Sequence, residues 1–390
     1  MQRVILFVLL SIVLPAQTPN LHRDAFVMDG HIHVMSRQLL QGLDIGERYA
    51  DGSVDLPRMR AGGLDAVFFS VYTPEPYYPG RHEVANTFRV VSLALEQIEK
   101  NRDVIELARN ASEIESIGKR GKIAAFLDLE GAYDMDGDLH LLRALHRLGL
   151  RSLQLTAHNE TNAFIDSCCS PGRWNGINEH GRAVIREMNR LGMLINVAHA
   201  SDEAILQTVE ASRHPVAYTH GGFRGVVDNP RCLSDAAAKA IAAKGGVIGI
   251  QFGSTFNNPK YAAWVRSRQI PSAAPRIDPK HASLTLGEVD RLVARGLPFV
   301  FKGTIPDEYW MGTDQLARVI DYGVRLVGED HVALGSDFDG GPPLPRQIRD
   351  VSDYGEMTKA LQQLGYSEQR IRKIMGLNWL RLIRRVTEVR

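Results

Sequence analysis

Cysteine is scarce in this chain of 390 residues, which contains only Cys168, Cys169 and Cys232. None of the three has the spacing of a zinc finger, so the sequence gives no sign of a structural metal held by cysteines. Adjacent cysteines rarely bond to each other, and we therefore do not expect a Cys168–Cys169 disulfide. A bridge from Cys232 to one of them is left open, because an exported protein can form disulfides.

An excess of charge of either sign is also missing. The 46 basic and 45 acidic side chains leave a formal net charge of +1. Nucleic acids and anionic membrane surfaces are normally bound by a strong positive field, so neither is expected as a partner. The sequence instead favours a small-molecule substrate.

Long apolar runs are absent except near the N-terminus. Residues 2–16 combine Arg3, the apolar stretch Val4 to Leu14 and the small residue Ala16, which is the pattern of an export signal. The run is short for a membrane span. We predict a signal peptide over residues 1–16, ending at about residue 20 at the latest, and an exported protein that is periplasmic or secreted. The alternative is an uncleaved N-terminal segment that anchors the protein to a membrane.

The rest of the chain alternates apolar runs of strand length with longer segments of helical period. Eight runs are predicted as strands: Val27–His33, Leu64–Tyr72, Ile123–Glu130, Leu150–Thr156, Met193–His199, Pro215–His220, Gly246–Phe252 and His331–Asp337. Helices are predicted at Val84–Glu99, Leu139–Leu148, Glu179–Leu191, Asp202–Ala211, Ser234–Ala243 and Thr313–Val327. This alternation predicts an α/β protein with a (β/α)8 TIM-like barrel, forming a single domain over residues 21–390.

Two segments depart from the alternation. Residues 253–312 form a long, proline-containing connection between the seventh and eighth strands, with one helical stretch at Leu286–Arg295. Connections of this length are usually functional or peripheral. The region Val351–Val389 has the apolar spacing of two or three amphipathic helices, and we expect these extra C-terminal helices to pack outside the barrel.

Potential metal ligands recur where the predicted strands end. His31 and His33 lie two residues apart on the first strand, so both point to the same side of it. The ends of later strands carry the other candidates, which are Glu130, His158, His199, His220 and Asp337. In barrels of this type the active site lies at the carboxyl ends of the strands. A buried structural histidine would explain any one of these residues, but not the whole set.

Imidazole and carboxylate ligands at this density suit zinc or a similar divalent ion. The set His31, His33, Glu130, His199 and His220 exceeds what one catalytic zinc needs. We therefore predict two divalent ions per chain, with zinc as the first choice and Glu130 shared between them. Such a pair can generate hydroxide from a bridging water and hold a carbonyl oxygen. Asp337 is predicted to take the proton from that water and pass it to the leaving amine, whereas Asp339 ranks lower because it lies past the strand end.

Four stretches resemble motifs of one family. They are Arg-Glu-Met-Asn-Arg-Leu-Gly-Met-Leu-Ile-Asn-Val-Ala-His-Ala-Ser at 186–201, Tyr-Thr-His-Gly-Gly at 218–222, Asn-Pro-Arg-Cys-Leu-Ser-Asp at 229–235 and Gly-Ser-Asp-Phe-Asp-Gly at 335–340. From about Val27 to Arg385 the chain resembles the membrane (renal) dipeptidases, peptidase family M19, within the metal-dependent amidohydrolase superfamily.

The resemblance implies a dipeptidase that uses two zinc ions in a TIM-like barrel and tolerates D-residues at the C-terminal position of its substrates. It implies that Glu130 bridges the ions, that His199 and His220 bind the second ion, and that His158 polarises the scissile carbonyl. Arg231 resembles the arginine that holds the substrate carboxylate, a role that suits a planar guanidinium.

The chain departs from the family pattern on the first strand, where His33 stands in the place of an aspartate. A neutral imidazole there leaves the site more positive by one charge, which affects the identity and affinity of the first ion. The residues beside His199 and His220 also differ from the usual ones, which predicts weaker orientation of these two ligands.

Two other functions are left open by the sequence. One is a different amidohydrolase activity, such as hydrolysis of N-acyl amino acids or lactones, at the same pair of ions. The other is a barrel that binds metal without turnover, although Glu130 and Asp337 are both present. A homodimer is also left open.

Overall fold

Nine parallel strands form one sheet in the computed structural model, which describes residues 20–35, 42–50, 52–73, 78, 81–132, 138–268, 279–296 and 304–388. They are β1 (Met28–Ile32), β2 (Ala66–Tyr72), β3 (Ile105–Ala108), β4 (Ile123–Glu130), β5 (Ser152–Gln154), β6 (Leu194–Asn196), β7 (Ala217–Tyr218), β8 (Val247–Ile250) and β9 (Val332–Leu334). The signal peptide predicted over residues 1–16 lies outside the described residues. No helix within the described ranges combines the length and the apolar character that crossing a membrane requires.

Eight of the strands form a nearly closed (β/α)8 TIM-like barrel in the order β1-β2-β4-β5-β6-β7-β8-β9. The chain just past β9 meets β1, because Ile32 pairs with Phe338 in parallel and the His33 N–H donates to the Phe338 carbonyl at 3.0 Å. The remaining strand, β3, pairs with the first half of β4. The predicted fold class is therefore confirmed, and each of the eight predicted strands contains an observed one.

Helices lie between the strands and after them. Those in the described part of the chain are α1 (Leu21–Asp24), α2 (Leu56–Ala61), α3 (Arg81–Lys100), α4 (Ala111–Lys119), α5 (Leu139–Leu148), α6 (Glu179–Leu191), α7 (Asp202–Ala211), α8 (Asp235–Ala243), α9 (Ser254–Asn257), α10 (Pro259–Ser267), α11 (Leu286–Gly296), α12 (Thr313–Val327), α13 (Gly355–Gln363), α14 (Glu368–Arg372) and α15 (Asn378–Thr387). Short 3₁₀ turns occur at Pro279–Ser283, Asp307–Tyr309 and Val351–Asp353, and a π turn at Lys373–Leu377. Helices α5, α6, α7 and α12 begin and end at the predicted residues.

Residues at the helix ends explain where several of these helices begin and end. The Ser201 and Ser234 side chains accept hydrogen bonds from the backbone three residues on, at the start of α7 and α8, which satisfies amide groups that the helix itself leaves free. Gly149 and Gly192 end α5 and α6 with left-handed backbones, at φ of 115° and 67°. Glycine adopts that conformation without steric cost.

Residues that alternate along the strands fill the barrel interior in layers. The layer near the amino ends is apolar and includes Phe68, Phe126 and Trp379. Trp379 of α15 enters from below, with its ring centroid 5.1 Å from that of Phe68 and its Nε1 donating to the Leu334 carbonyl at 2.9 Å. The C-terminal helices were predicted to pack outside the barrel, but α15 supplies its floor.

The long connection between β8 and β9 is helical over much of its described length, through α9, α10 and α11. The helix predicted at Leu286–Arg295 is confirmed by α11. Val289 and Val293 of this helix pack with Tyr78, which belongs to the connection after β2. This contact joins the connection to the carboxyl-end side of the barrel.

The cysteine prediction was wrong. Cys168 and Cys169 are bonded to each other, and Cys232 is a buried free thiol. Cys232 packs against Val227 and Ala262, whereas Cys169 is exposed. A disulfide between Cys232 and Cys169 would require the thiol of Cys232 to leave its apolar cluster.

Candidate metal centre

The candidate ligands predicted from the sequence meet at the carboxyl end of the barrel. Glu130 is the last residue of β4, and the histidines lie on or just beyond β1, β5, β6 and β7. Three groups have donor atoms within 4.8 Å of one another: His31–His33–Asp337, His31–Glu130–His220 and Glu130–His158–His199. The structure thus brings all seven predicted residues into one cluster.

Glu130 presents its two oxygens to two different histidine pairs. Its Oε2 lies 3.5 Å from His31 Nε2 and 3.3 Å from His33 Nε2. Its Oε1 lies 3.3 Å from His199 Nε2 and 3.5 Å from His220 Nε2. The Nε2 atoms are 3.2 Å apart in the first pair and 3.1 Å apart in the second. Two nitrogen ligands of a tetrahedral zinc lie about 3.3–3.4 Å apart, so each pair has a spacing that fits one ion.

Asp337 completes the group around the first pair. Its Oδ1 lies 3.0 Å from His33 Nε2 and 3.8 Å from His31 Nε2, and its Oδ2 accepts a hydrogen bond from Gln251. Asp339 instead accepts a hydrogen bond from the Ser53 hydroxyl at 2.7 Å. The structure therefore places Asp337 in the cluster, whereas the Asp339 carboxylate bonds to the Ser53 side chain.

His158 lies at the open side of the cluster. Its Nε2 is 3.8 Å from Glu130 Oε1, and its side chain is 19% exposed where that of Glu130 is 2% exposed. Its ring centroid is 4.2 Å from that of His199. Of the clustered histidines it is the one that a bound substrate can most readily approach.

Three residues of the cluster have left-handed backbones. These are His158, His199 and Asp337, with φ of 54°, 64° and 64°. Residues other than glycine rarely adopt this region, and such conformations concentrate at functional sites. Each of the three lies three or four residues beyond the end of its strand, where the chain turns over the mouth of the barrel.

A second set of side chains orients the imidazole rings. Nδ1 lies within hydrogen-bond distance of a side-chain oxygen in the pairs His31–Ser70 (3.0 Å), His199–Asn159 (3.2 Å) and His220–Thr219 (3.1 Å). Such outer partners fix the orientation of a histidine that ligates a metal. Asn159 and Thr219 supply these outer contacts for His199 and His220.

Burial and neighbouring charges shift the pKa values of the clustered residues in different directions. Burial, with nearby positive charge, holds the pKa of His199 and His220 well below the usual value. Burial alone would raise the pKa of Glu130, but the charges of His31 and His33 outweigh it and hold that pKa well below its ordinary value. Burial is likewise outweighed at His31, where Glu130 raises the pKa to about 10. A cation that binds His31 must therefore displace a proton.

Arg231 is buried directly beside the second histidine pair. Its Nη2 donates to the His220 carbonyl at 2.9 Å and its Nη1 to the Tyr218 hydroxyl at 2.7 Å. Both acceptors are neutral, so these bonds leave the charge of the guanidinium uncompensated. A buried charge is costly unless it is paired, and this position therefore suits an anionic group of a ligand.

Sequence reasoning missed Gln251, Ser70 and Asp128. A signal for the last two existed in the alternation of the strands. Ser70 precedes by two residues Tyr72 of β2, whose ring centroid lies 5.7 Å from that of His33, and Asp128 precedes Glu130 of β4 by two. Residues two apart on a strand point to the same side. Gln251 lies just beyond β8, and no pattern in the sequence indicates its contact with Asp337.

The sequence profile of the membrane dipeptidases (peptidase family M19) matches residues 16–390 of this chain. The chain belongs to peptidase family M19. Dipeptidase tcpJ of Claviceps purpurea is 30% identical over 346 residues, which cover 87% of this chain and 70% of that protein. The resemblance inferred from the sequence is thus confirmed.

Solved structures of related proteins share the fold of this M19 chain. The crystal structure of the M19 metallopeptidase called dipeptidase AC has a TM-score of 0.74 and 25% identity, covering 94% of this chain and 99% of its own. A metallopeptidase from Rhodobacter sphaeroides, solved with a phosphinate mimic of the dipeptide L-Ala-D-Ala, has a TM-score of 0.75 and 24% identity, covering 93% and 99%. Family membership makes this M19 chain a hydrolase of dipeptides and implies a divalent metal, which the donors around Glu130 fit.

Proposed function

We propose that this M19 dipeptidase holds two divalent ions, zinc as the first choice, on either side of Glu130. The observation that carries the proposal is the division of the Glu130 oxygens between the two histidine pairs, at 3.3–3.5 Å from each Nε2 atom. His31, His33 and Asp337 would hold one ion, and the pair His199–His220 would hold the other. His33, which stands in the place of an aspartate on the first strand, is compatible with metal binding because the Asp337 carboxylate lies 3.0 Å from its Nε2.

The bound ions would supply a water of lowered pKa and a polarising contact to the substrate carbonyl. Asp337 would accept the proton of that water and deliver it to the leaving amine. Its Oδ2 is held by Gln251, which fixes the orientation of the carboxylate. His158, on the open side of the cluster, would donate a hydrogen bond to the carbonyl oxygen as charge develops there.

Arg231 would bind the C-terminal carboxylate of the substrate. A clamp of this kind recognises the carboxylate and not the side chain next to it, so it is compatible with an L- or a D-residue at the C-terminal position. The mimic of L-Ala-D-Ala bound by the Rhodobacter sphaeroides metallopeptidase supports this choice of substrate. We therefore propose L-L and L-D dipeptides as substrates.

The decisive experiment combines metal analysis with a substrate panel. We expect purified protein to contain about two divalent ions per chain, chelation to abolish hydrolysis of L-L and L-D dipeptides, and zinc, cobalt or manganese to restore it. Full activity in metal-free protein would contradict the proposal. A fully loaded protein that cleaves N-acyl amino acids or lactones but no dipeptide would favour the other amidohydrolase activity, and one that cleaves none of these would favour a binding protein.

Replacing Arg231 with lysine should weaken substrate binding, because an ammonium group cannot reproduce the two-pronged contact of a guanidinium. We expect KM for free dipeptides to rise about 10–100-fold, which corresponds to losing a charged hydrogen bond of about 1.5–3 kcal/mol. Amidated dipeptides lack the carboxylate that Arg231 would bind, so their KM should differ little between the variant and the wild type.

Arg224→Lys is the matched control for this substitution, because Arg224 lies in the same connection but pairs with Asp202. It should leave KM close to the wild-type value. If Arg231→Lys raised KM equally for free and amidated dipeptides, Arg231 would not be the carboxylate clamp.

We further propose that the mature protein is exported and forms a single domain over residues 21–390. The charged and apolar pattern of residues 2–16 supports export, and the run of one sheet from β1 to β9 supports a single domain. Intact-mass measurement of protein recovered from the exported fraction would locate the cleavage site.

A further inference from the structure

A fully buried carboxylate, Asp128, lies in the layer beneath the candidate metal centre. It belongs to β4 and precedes Glu130 by two residues, so both side chains face the barrel interior. Its Oδ2 accepts a hydrogen bond from the Ser70 hydroxyl at 3.1 Å, while its Oδ1 has no hydrogen-bond partner among the described residues. Its Oδ2 also lies 3.7 Å from His31 Nδ1, and a buried carboxylate is costly unless it is paired.

Ser70 connects this carboxylate to His31. The Ser70 oxygen is 3.0 Å from His31 Nδ1 on one side and 3.1 Å from Asp128 Oδ2 on the other. The other acceptor within reach of the hydroxyl, the Phe68 carbonyl, is farther away at 3.4 Å. The Ser70 hydroxyl therefore donates to Asp128 Oδ2, the nearer of its two acceptors.

The direction of that bond decides which ring nitrogen of His31 keeps its proton when a cation binds the other. With its own proton given to Asp128, the Ser70 oxygen can only accept from His31, which places a proton on Nδ1 of the ring. A neutral imidazole protonated on Nδ1 carries its lone pair on Nε2. Nε2 is the atom of His31 that faces Glu130 and His33.

We propose that Asp128, acting through the Ser70 hydroxyl, is a positioning residue that fixes His31 in the tautomer whose Nε2 is free to bind a cation. The inference rests on the proposed function, because it takes His31 as a metal ligand. Donation from Nδ1–H toward a carboxylate makes Nε2 a stronger ligand. The negative charge of Asp128 also offsets part of the charge that a divalent ion would bring to the site.

The effect should be confined to one side of the metal centre. The Nδ1 partners of His199 and His220 are the neutral side chains Asn159 and Thr219. Thr219 in turn accepts a hydrogen bond from the Asn196 amide at 2.8 Å, and that path does not end at a carboxylate. Loss of the Asp128 carboxylate should therefore weaken binding of the ion next to His31 and leave binding of the ion next to His199 and His220 unchanged.

Asp29 offers a matched control for the charge of Asp128. It is equally buried, on β1, but its Oδ1 accepts from the backbone N–H groups of His31 and Ser336, both at 2.9 Å. These bonds hold the backbone and involve no imidazole nitrogen. Asp29→Asn removes one buried negative charge near the site and keeps an oxygen acceptor.

The test titrates metal-free wild type, Asp128→Asn, Ser70→Ala and Asp29→Asn with Zn²⁺ in competition with a chromophoric chelator. We expect one of the two zinc affinities to fall about 10–100-fold in Asp128→Asn and in Ser70→Ala, the usual effect of losing an outer partner of a ligand. The other zinc affinity, and both affinities of Asp29→Asn, should stay within about threefold of the wild type.

A second measurement reads the tautomer directly. In the zinc-loaded wild type, ¹⁵N NMR of the histidine rings should show a protonated Nδ1 at His31, assigned by its loss in His31→Gln. This signal should broaden or disappear in Ser70→Ala, where the oxygen acceptor is gone. Thermal melting of the metal-free variants shows whether each is folded, and Ser70→Ala tests the path alone if Asp128→Asn does not fold.

Several outcomes would overturn the inference. Unchanged zinc affinities in both variants would show that Asp128 has no part in metal binding. If zinc affinity fell only in Asp128→Asn, Ser70 would not connect Asp128 to His31. If it fell equally in Asp29→Asn, the effect would come from the loss of a buried charge and not from the contact with His31. A wild type that binds zinc with these differences but cleaves no dipeptide would refute the proposed function alone, whereas one that binds no divalent ion would refute both.

Discussion

Asp337→Asn is expected to lower kcat by about 10²–10⁴-fold, the usual share of general acid–base catalysis. Asparagine has almost the same size and can keep a contact with Gln251, but it cannot accept a proton at neutral pH. Because Asp337 also lies 3.0 Å from His33 Nε2, the loss of a ligand could imitate the loss of a proton acceptor. The zinc content of the variant must therefore be measured together with kcat.

Asp339→Asn is the control for this variant. Asp339 is buried, has the same left-handed backbone as Asp337 and lies two residues away, but its carboxylate bonds to Ser53. The control should keep kcat within a few-fold of the wild type. An Asp337→Asn protein with full zinc content and undiminished kcat would exclude Asp337 as the group that moves the proton.

Trp379→Ala should cost about 3–5 kcal/mol of unfolding free energy, the range found when a large buried aromatic side chain is removed. The ring is fully buried between the strands, and a Cβ atom on Gly30 would lie within clashing distance of its Cζ2. That distance shows how closely the first strand and the ring are packed. The variant also leaves the Leu334 carbonyl without its donor, which adds to the loss.

Trp310→Ala is the comparison for Trp379→Ala, to be measured by urea unfolding of the metal-free proteins in one buffer. Trp310 is 40% exposed, although its Nε1 also donates to a backbone carbonyl, that of Leu344, at 3.0 Å. Its removal should cost about 1 kcal/mol or less. Equal losses of unfolding free energy in the two variants would show that Trp379 beneath the barrel stabilises the protein no more than the exposed Trp310 does.

The sequence predicts strands best where burial and pairing coincide. Strand β4 was predicted with its observed bounds because every residue from Ile123 to Glu130 is buried. Strand β7 pairs only at Ala217–Tyr218, although the whole predicted run Pro215–His220 is buried. An apolar run reports burial and cannot show which residues form hydrogen bonds with a neighbouring strand.

Two missed elements have different explanations. Strand β3 shows no apolar run, because the middle two of its four residues are half-buried. Helix α4 carried a readable signal, since Asn110 accepts from the Glu113 backbone while the Glu113 carboxylate accepts from the Arg109 backbone. An asparagine followed by a glutamate three residues later marks a helix start, so the sequence does indicate where α4 begins.

The candidate ligands were predictable because strand ends are visible in the sequence and barrel chemistry collects there. Ser70 and Asp128 follow from the same alternation once Glu130 is placed inside the barrel. Asn159 and Gln251 do not, because their contacts depend on how loops fold back over the strands. The Cys168–Cys169 bond was missed because adjacent cysteines rarely pair, and the sequence contains nothing that shows Cys232 to be enclosed in an apolar cluster.

The floor of the barrel has a consequence for how this protein is made. Strand β9 ends at Leu334, so a ribosome has produced every strand of the barrel well before it reaches Trp379. Until then Phe68 and Phe126 lack the ring that covers them from below, and a chain released early retains an open apolar interior. Such incomplete chains expose the kind of surface that leads to aggregation and degradation. Truncation before Trp379 should therefore lower the yield of folded enzyme.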